Sequence, residues 1–244
     1  MKTLIIIPSR LSATRLPGKP LLKINGISII SHVFKKAVDA NIGEVYVAAE
    51  DQEIIDDVNS NGGQAILTAN NHKTGTDRIY EALKKIGQSD VELIMNLQGD
   101  EPLMNVDDIR NLHNQMVKTK SDLGTLGSNL KDTNLHKKEN IVKVATKESL
   151  EISQFPVALN FMRKSTSQNK NIYHHLGIYC YQTEILKNFV SLDQSPNEIK
   201  NKLEQLRALD NKIKINVARA KISPIGLDTE EDFVAIKKIM EYKT

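Results

Sequence analysis

The stretch TLIIIPSRLSATRLPGK, residues 3–19, decides the fold of this chain. Residues 3–8 (TLIIIP) form a continuous apolar run ending at a proline, which is typical of a strand buried on both faces of a parallel sheet. Residues 9–19 then bring three cations, a proline and a glycine, and residues 27–38 carry apolar side chains at helical spacing. Strand, basic loop and helix in this order predict the opening unit of an α/β fold.

The alternation continues along the first hundred residues. The patterns predict strands at residues 44–49, 64–68 and 91–97 and helices at 52–59 and 76–85. Strands that alternate with helices of about ten residues pair in parallel through right-handed crossovers. The sequence therefore predicts a three-layer α/β/α fold with a mostly parallel central sheet.

The second half of the chain has a looser pattern. Its predicted elements are helices at 106–118, 197–209 and 230–242 and strands at 124–130, 141–146 and 176–182. We expect a partly mixed sheet and a single domain over residues 1–244, with an inserted strand-rich region around 122–200. The polar stretch 164–171 is predicted to be a mobile surface loop.

Composition argues against several classes of protein. Hydrophobic residues make up 40% and charged residues 26%, which is typical of a folded globular chain. No apolar run approaches the roughly 20 residues of a membrane helix, so we expect a cytoplasmic protein without a membrane partner. The lone cysteine, Cys180, suits a reducing compartment. A net charge of +3, dispersed lysines and the absence of Trp disfavour nucleic-acid binding.

Three cations lie close together in the loop that follows the first predicted strand. Arg10, Arg15 and Lys19 fall within ten residues, and Gly18 allows a close approach of the backbone. Ligands of open α/β sheets bind beyond the carboxyl ends of the strands, and forked guanidiniums with a lysine suit a triphosphate. The loop lacks GxxxxGK[ST] and GxGxxG, so P-loop NTPases and dinucleotide dehydrogenases lose their main support. Solvated loop charges are the alternative interpretation.

Two acidic motifs supply candidate ligands for a metal ion. Asp100 lies in NLQGDEP (96–102), where a predicted strand ends and a carboxylate can meet a cation that bridges phosphates. Asp228 lies in GLDTEED (226–232), and it is the second candidate because Mg²⁺ usually takes one or two carboxylates. Simpler interpretations are a turn at the first motif and helix capping by Asp228 or Thr229 at the second.

Six motifs together resemble the CMP-Kdo synthetases, the 3-deoxy-manno-octulosonate (Kdo) cytidylyltransferases of lipopolysaccharide synthesis. They occur in that family's order and span nearly the whole chain: RLSATRLPGK (10–19), HKTGTDR (72–78), QGDEP (98–102), HLGIY (175–179), EQLR (204–207) and GLDTEED (226–232). The resemblance implies an enzyme that transfers CMP from CTP to the anomeric hydroxyl of Kdo and releases pyrophosphate. It also implies Mg²⁺ as cofactor and a homodimer formed through the region around 122–200.

The resemblance implies a role for each candidate site residue. The triphosphate would be held by Arg10, Arg15 and Lys19, and the metal by Asp100 and Asp228. Catalysis would depend on Arg10, Lys19 and Asp100. The cytosine and ribose would lie near Gly75, Thr76 and Arg78. The sugar acid would face Gln98, His175, Tyr179, Glu204 and Gln205, although His175 could instead be a hydrogen-bonded core histidine.

Two positions depart from the family's pattern. The family usually has serine where this chain has Ala13, with the serine here at Ser12. The family also reads Ser-Arg-x-x-Ile-Pro where this chain has Gln154 in place of the arginine. That arginine is a plausible partner for the sugar's carboxylate, and Arg163 or Lys164 could take its place.

Other functions stay open at this point. The same transfer to an amino-substituted Kdo or a related sugar acid is the nearest alternative. RLPGK argues against the sialate activators, whose first loop differs, and the missing Gly-rich loop argues against synthases that use a neutral sugar phosphate. A non-catalytic nucleotide-binding subunit and a basic nucleic-acid binder are alternatives from other classes.

Overall fold

A computed structural model gives the structure of the chain and describes residues 1–12, 15–130, 133–166 and 170–242. The strands are β1 (Thr3–Ser9), β2 (Lys23–Ile24), β3 (Ile27–Ser28), β4 (Glu44–Ala49), β5 (Ala65–Leu67), β6 (Leu93–Asn96), β7 (Leu123–Asn129), β8 (Lys143–Thr146), β9 (Ala158–Met162), β10 (Ile172–Gln182) and β11 (Ile215–Arg219). The α-helices are α1 (Ile29–Ala40), α2 (Gln52–Ser60), α3 (Gly75–Ile86), α4 (Val106–Thr119), α5 (Thr183–Ser191), α6 (Pro196–Asn201), α7 (Gln205–Asp210) and α8 (Glu230–Glu241). Short 3₁₀ helices cover Lys19–Leu21 and Thr133–His136.

The chain divides into two compact units. Unit 1 comprises Met1–Ile109 with Pro224–Thr244, and unit 2 comprises Arg110–Ser223. The strand-rich region predicted around 122–200 lies in unit 2. None of the described helices has the length and apolar character needed to cross a membrane.

Unit 1 contains a parallel sheet centred on β1. The strand pairs in parallel with β4 on one side and β6 on the other, and β5 extends the sheet beyond β4. The side chains of residues 4–7 have no exposed area, and burying each contributes roughly 1.5–3 kcal/mol. Because β1 is apolar on both faces, it lies in the interior of the sheet. The basic loop begins at the carboxyl end of β1 and therefore lies at that edge of the sheet.

The last helix returns the end of the chain to unit 1. A buried apolar cluster joins the segment before α8, α8 itself, the basic loop and the start of α1; its members are Leu16, Ile24, Ile29, Leu227 and Ile236. This packing holds Leu227 in place. Asp228, the next residue, is thereby fixed in the same unit as the loop after β1.

Unit 2 contains a mixed sheet. Strand β7 pairs in parallel with β11 and antiparallel with β10, and β8 pairs antiparallel with both β10 and β9. Gly124 keeps β7 close to α4, because an added Cβ would lie 2.8 Å from the sulfur of Met116. The predicted α/β class, with a mostly parallel and partly mixed sheet, is confirmed.

The single helix predicted at 197–209 is wrong. The structure has two short helices there, α6 and α7, because Lys202 adopts a left-handed conformation with φ of 52° and ends α6. The Glu198 carbonyl accepts a hydrogen bond from the backbone N–H of Lys202 and so closes the end of α6. Lysine is not a residue whose presence predicts such a turn.

Two strands and one α-helix in the described part of unit 2 have no counterpart among the predicted elements. They are β9, α5 and β11. Strand β9 has neighbouring exposed residues, including Leu159, instead of strict alternation, and α5 follows β10 directly without a glycine or proline between them. Part of the loop predicted at 164–171, residues 167–169, lies outside the described residues.

Candidate active site

The loop after β1 lines a cavity of about 360 Å³ in unit 1. Residues at the start of α3, in the turn after β6 and before α8 supply the rest of the lining. Among the predicted site residues the cavity brings together Arg10, Arg15, Lys19, Gly75, Arg78, Gln98, Asp100 and Asp228. Thr76 lies in the first turn of α3 with its side chain buried, and it does not line the cavity.

An acidic residue at the end of β4 anchors the basic loop. The backbone N–H of Leu11 donates to the carboxylate of Asp51 at 2.7 Å. Asp51 holds the N-cap position of α2 but makes no capping hydrogen bond, because its carboxylate is directed to the loop. Gly18 has a φ of 70°, which favours glycine, and it leads directly into the 3₁₀ turn that carries Lys19. Ala13 lies outside the described residues.

The turn after β6 holds Asp100 beside Lys19. Only glycine fits at position 99, because an added Cβ would lie 2.9 Å from the carbonyl oxygen of Pro8. The Lys19 ammonium donates to the Asp100 carboxylate at 2.5 Å. The Asp100 carbonyl accepts a hydrogen bond from the backbone N–H of Leu227 at 2.9 Å, which ties the turn to the segment before α8.

Helix α8 is capped by Thr229, so the carboxylate of Asp228 is available to the cavity. The Thr229 hydroxyl accepts from the backbone N–H of Asp232 at 3.3 Å, and the Asp232 carboxylate accepts from the backbone N–H of Thr229 at 2.9 Å. Asp228 instead lies 2.9 Å from the Arg15 guanidinium and 3.7 Å from the Lys19 ammonium. Of the two capping residues that the sequence allowed, the structure selects Thr229.

The donor set around Lys19 fits a magnesium ion. Asp100 and Asp228, which are far apart in sequence, direct their carboxylates to the same ammonium group. One or two carboxylates are the usual protein contribution to a Mg²⁺ site, the other ligands being phosphate oxygens and water. No cluster of three or more His, Cys, Asp or Glu suited to a metal occurs among the described residues, so the site is not an all-protein cage. The metal-binding role of both residues stays a prediction.

A third carboxyl group, that of Glu101, lies next to Asp100. The residue is partly exposed, but its Oε2 atom is buried and has no hydrogen-bond partner among the residues that the structure describes. Burial raises the pKa of Glu101 to about 8, with the charges of Asp100 and Asp228 acting in the same direction and Lys19 opposing them. Glu101 is therefore protonated at neutral pH in this structure.

Replacing Glu101 with glutamine should stabilise the protein at alkaline pH. Its pKa is about 8 when folded against 4.5 ordinarily, so the unfolded chain loses its proton first and stability falls as the pH rises through this range. Neutral glutamine removes this loss, and the free energy of unfolding should rise by roughly 4–5 kcal/mol at pH 8.5 but hardly change at pH 4. Urea unfolding at both pH values measures it, with exposed Glu53→Gln as control. An equal effect of Glu101→Gln at both pH values would contradict the assignment.

The start of α3 is fixed against β1. Thr74 and Asp77 form a reciprocal capping box, and an added Cβ at Gly75 would lie 3.3 Å from the ring of Pro8. Gly75 therefore presents backbone to the cavity.

Arg78 is buried in the cavity wall. Its guanidinium is paired with the Glu50 carboxylate and donates to the hydroxyl of Thr68 at 2.6 Å and to the carbonyl of Ala69 at 3.2 Å. These partners hold the guanidinium in one orientation. Its contact with the base or ribose stays a prediction.

His72 opens the HKTGTDR motif, but no role is predicted for it from the sequence. His72 lines the cavity, and its ring Nε2 is paired with Glu81. Burial favours a higher pKa for Glu81, but hydrogen bonds from Lys85, His72 and the backbone of Ala69 outweigh it and lower the pKa to about 2. The position of His72 three residues before Gly75 was the available signal.

His175, a predicted sugar contact, is buried in unit 2. Its Nε2 atom lies 3.0 Å from the Thr125 hydroxyl, and its ring lies edge-on to that of Phe161 at 5.0 Å. Burial lowers the pKa of His175 to about 3, and His174 contributes in the same direction. The ring is therefore neutral, in the environment of a hydrogen-bonded core histidine.

Tyr179 is the predicted sugar contact of unit 2 that lies beside His175. The rings of Tyr179 and His175 are 5.5 Å apart. Burial raises the pKa of Tyr179 well above its usual value, followed by the effects of Tyr181 and Glu204, which places Glu204 within electrostatic range of Tyr179. Gln205 follows at the start of α7 and is buried, whereas Gln98 belongs to unit 1. The sugar-binding roles stay predictions.

A buried ion pair positions the start of α7. The Glu198 carboxylate accepts from Arg207 at 2.8 and 2.6 Å, and it also accepts from the Ser195 backbone in the capping box of α6. The Arg207 guanidinium lies over the ring of Phe189, 4.8 Å from its centre. The arginine of the EQLR motif therefore fixes the segment that carries Glu204.

Arg163 and Lys164 have partners of their own. The Arg163 guanidinium donates to three backbone carbonyls, those of Glu139, Asn201 and Lys202, at 2.8–3.1 Å. Lys164 pairs with the carboxylate of Glu139 at 2.6 Å on the surface. Arg163 therefore holds the end of α6. Where this chain has Gln154 the family has an arginine, and it stays a prediction that Arg163 takes over the role of that arginine.

Comparison with known protein families shows to which family this chain belongs. The cytidylyltransferase family matches residues 4–215, which is most of the chain. The chain belongs to the cytidylyltransferase family. It is therefore a nucleotidyltransferase enzyme.

Individual relatives are similar to this chain over nearly their whole length. A 3-deoxy-manno-octulosonate cytidylyltransferase of Afipia carboxidovorans is 38% identical over 241 residues, covering 98% of this chain and 96% of the relative. One of Thermodesulfovibrio yellowstonii is 40% identical over 251 residues, covering 98% of both. A solved CMP:2-keto-3-deoxy-manno-octonic acid synthetase complexed with CTP is 33% identical, with a TM-score of 0.90 over all of both chains. A UDP-glucose pyrophosphorylase, 13% identical with a TM-score of 0.73 over all of both chains, shares the fold alone.

Proposed function

We propose that this enzyme transfers CMP from CTP to the anomeric hydroxyl of 3-deoxy-D-manno-octulosonate, giving CMP-Kdo and pyrophosphate for lipopolysaccharide biosynthesis. The observation that carries the proposal is the similarity, over nearly the whole chain, to relatives named 3-deoxy-manno-octulosonate cytidylyltransferase. A structural relative complexed with CTP supports the nucleotide. The cavity beside the basic loop supports a triphosphate as its ligand.

The chain's own residues would act by positioning and by neutralising charge. In the proposed reaction the anomeric hydroxyl oxygen attacks the α-phosphorus in line, its proton is released to solvent, and the bond from that phosphorus to the pyrophosphate oxygen breaks. Arg10, Arg15 and Lys19 would bind the phosphate oxygens on which charge grows. Asp100 and Asp228 would hold Mg²⁺, which when bound neutralises charge on those oxygens. No nucleophile from the protein is needed.

A homodimer and a cytoplasmic location are parts of the same proposal. Among the described strands β9 pairs only with β8, and its Leu159 is 60% exposed, so this part of the region around 122–200 offers an edge that a second copy can cover. Cys180 is a buried free thiol, which suits a reducing compartment.

Gln154 is the reason for considering a second sugar acid as the acceptor of CMP. Because this chain has glutamine where the family usually has arginine, the same transfer to an amino-substituted Kdo or a related sugar acid is the alternative to Kdo itself. The choice concerns the acceptor and leaves the transfer of CMP unchanged.

Pyrophosphate release tests the nucleotide and the acceptor together. The purified protein is given CTP, ATP, GTP or UTP with Mg²⁺ and each of several sugar acids, including Kdo, amino-substituted Kdo and a sialic acid. We expect kcat/KM with CTP and Kdo to exceed that with any other nucleotide by about 100-fold or more. Faster reaction with amino-substituted Kdo would move the assignment to that acceptor. CTP binding without pyrophosphate release from any mixture would indicate a non-catalytic subunit.

A further inference from the structure

Lys19 occupies the position between the two carboxylates that are expected to hold the metal. Its ammonium lies 2.5 Å from Asp100, 3.7 Å from Asp228 and 2.9 Å from the carbonyl oxygen of Leu227. The side chain is only 17% exposed, so these oxygens replace much of its hydration. The ammonium therefore faces both carboxylates, and its contact with Asp100 is the shorter of the two.

We propose that Lys19 is the resident counter-ion of this pair and yields its place to a divalent cation only when a nucleotide triphosphate takes the ammonium. The inference rests on the proposed function, since it assumes a triphosphate in this cavity. It predicts that metal and nucleotide bind cooperatively and that neither binds tightly alone.

The balance of charge in the site supports this replacement of the Lys19 ammonium by a divalent cation. Arg15 lies 2.9 Å from Asp228, so two cations of the basic loop already neutralise the two carboxylates. A divalent cation entering alone would place four positive charges against two negative ones. A triphosphate restores the balance because its oxygens can accept the ammonium and the guanidinium within the same cavity.

The tether of Lys19 makes it an effective competitor. Gly18 and the 3₁₀ turn at Lys19–Leu21 fix its backbone, and Pro20 in that turn is buried. A group held on such a short tether has an effective concentration of about millimolar or more, and Mg²⁺ gives up its water reluctantly. Only the side chain of Lys19 has to move to reach phosphate oxygens. Because the effect of each ligand on the other is reciprocal, metal should favour the nucleotide as much as nucleotide favours the metal.

Binding of Mn²⁺ to the full chain without nucleotide tests the proposal. Titration followed by electron paramagnetic resonance of free Mn²⁺ should show weak binding to the parent protein. Lys19→Met should bind Mn²⁺ about 10-fold more tightly, because the competing charge is gone. Lys19→Arg, which keeps the charge, and Lys23→Met, which removes a lysine exposed in β2, should bind as the parent does. In the Lys19→Met background, Asp228→Asn should abolish the gain.

Two results would overturn the counter-ion role. They are tight Mn²⁺ binding by the parent protein without nucleotide, and equal Mn²⁺ affinities of the parent and Lys19→Met. Lys19→Gln provides the same comparison if Lys19→Met does not fold. The proposed function fails separately, because its failure appears as an absence of pyrophosphate release from the parent protein.

Discussion

Replacing Asp100 with asparagine should lower kcat for pyrophosphate release by about 100-fold to 1000-fold while the protein stays folded. Asparagine keeps the shape of the side chain but removes the negative charge that faces Lys19 and, in the proposed function, the metal. Stabilisation of growing charge on phosphate oxygens is the main contribution of such sites, so losing a metal ligand should act mostly on kcat. Steady-state kinetics with CTP and Kdo at saturating Mg²⁺ measure the effect.

A matched control separates this effect from general loss of an acidic residue. Asp90→Asn removes a carboxylate that is 69% exposed and pairs with Lys2 on the surface, and it should leave kcat unchanged. Circular dichroism and thermal unfolding should show both variants folded. Turnover by Asp100→Asn at the parent rate would remove Asp100 from the metal site.

Much of unit 1 could be predicted because its signals are local. The strand predicted at 44–49 is the strand observed, and the helix predicted at 76–85 is one residue shorter at each end than α3. Apolar runs and helical spacing are properties of neighbouring residues, and capping and glycine turns fix the ends. The meeting of Lys19 with Asp100 also follows from a general rule, because both lie beyond the carboxyl ends of parallel strands.

Other features depend on contacts between distant residues. Asp51 reads as an ordinary helix cap, and only the folded chain shows that it anchors Leu11 forty residues earlier. The break at Lys202 has no local signal, since α6 and α7 are held by the Glu198–Arg207 pair across it. The raised pKa of Glu101 likewise depends on burial and on Asp228, which is far away in sequence.

Replacing Lys19 with methionine should lower kcat/KM for CTP by about 100-fold or more. Methionine keeps much of the length of the side chain but provides no charge for the triphosphate, so both CTP binding and transition-state stabilisation should weaken. The KM for Kdo should change less, because the predicted roles of Lys19 concern the nucleotide and the metal and not the sugar acid. Initial rates over a grid of CTP and Kdo concentrations measure the two effects, with Lys23→Met as the charge-matched control.

The same variant separates the two roles of Lys19. If the lysine served only to neutralise Asp100 and Asp228, its removal would free the metal site, and turnover at low Mg²⁺ would rise. If it also holds phosphates, turnover should fall at every Mg²⁺ concentration, and excess Mg²⁺ should not restore it. We expect the second result, together with tighter Mn²⁺ binding without nucleotide. An unchanged kcat/KM for CTP would remove Lys19 from the phosphate site and leave it only the role of neutralising Asp100 and Asp228.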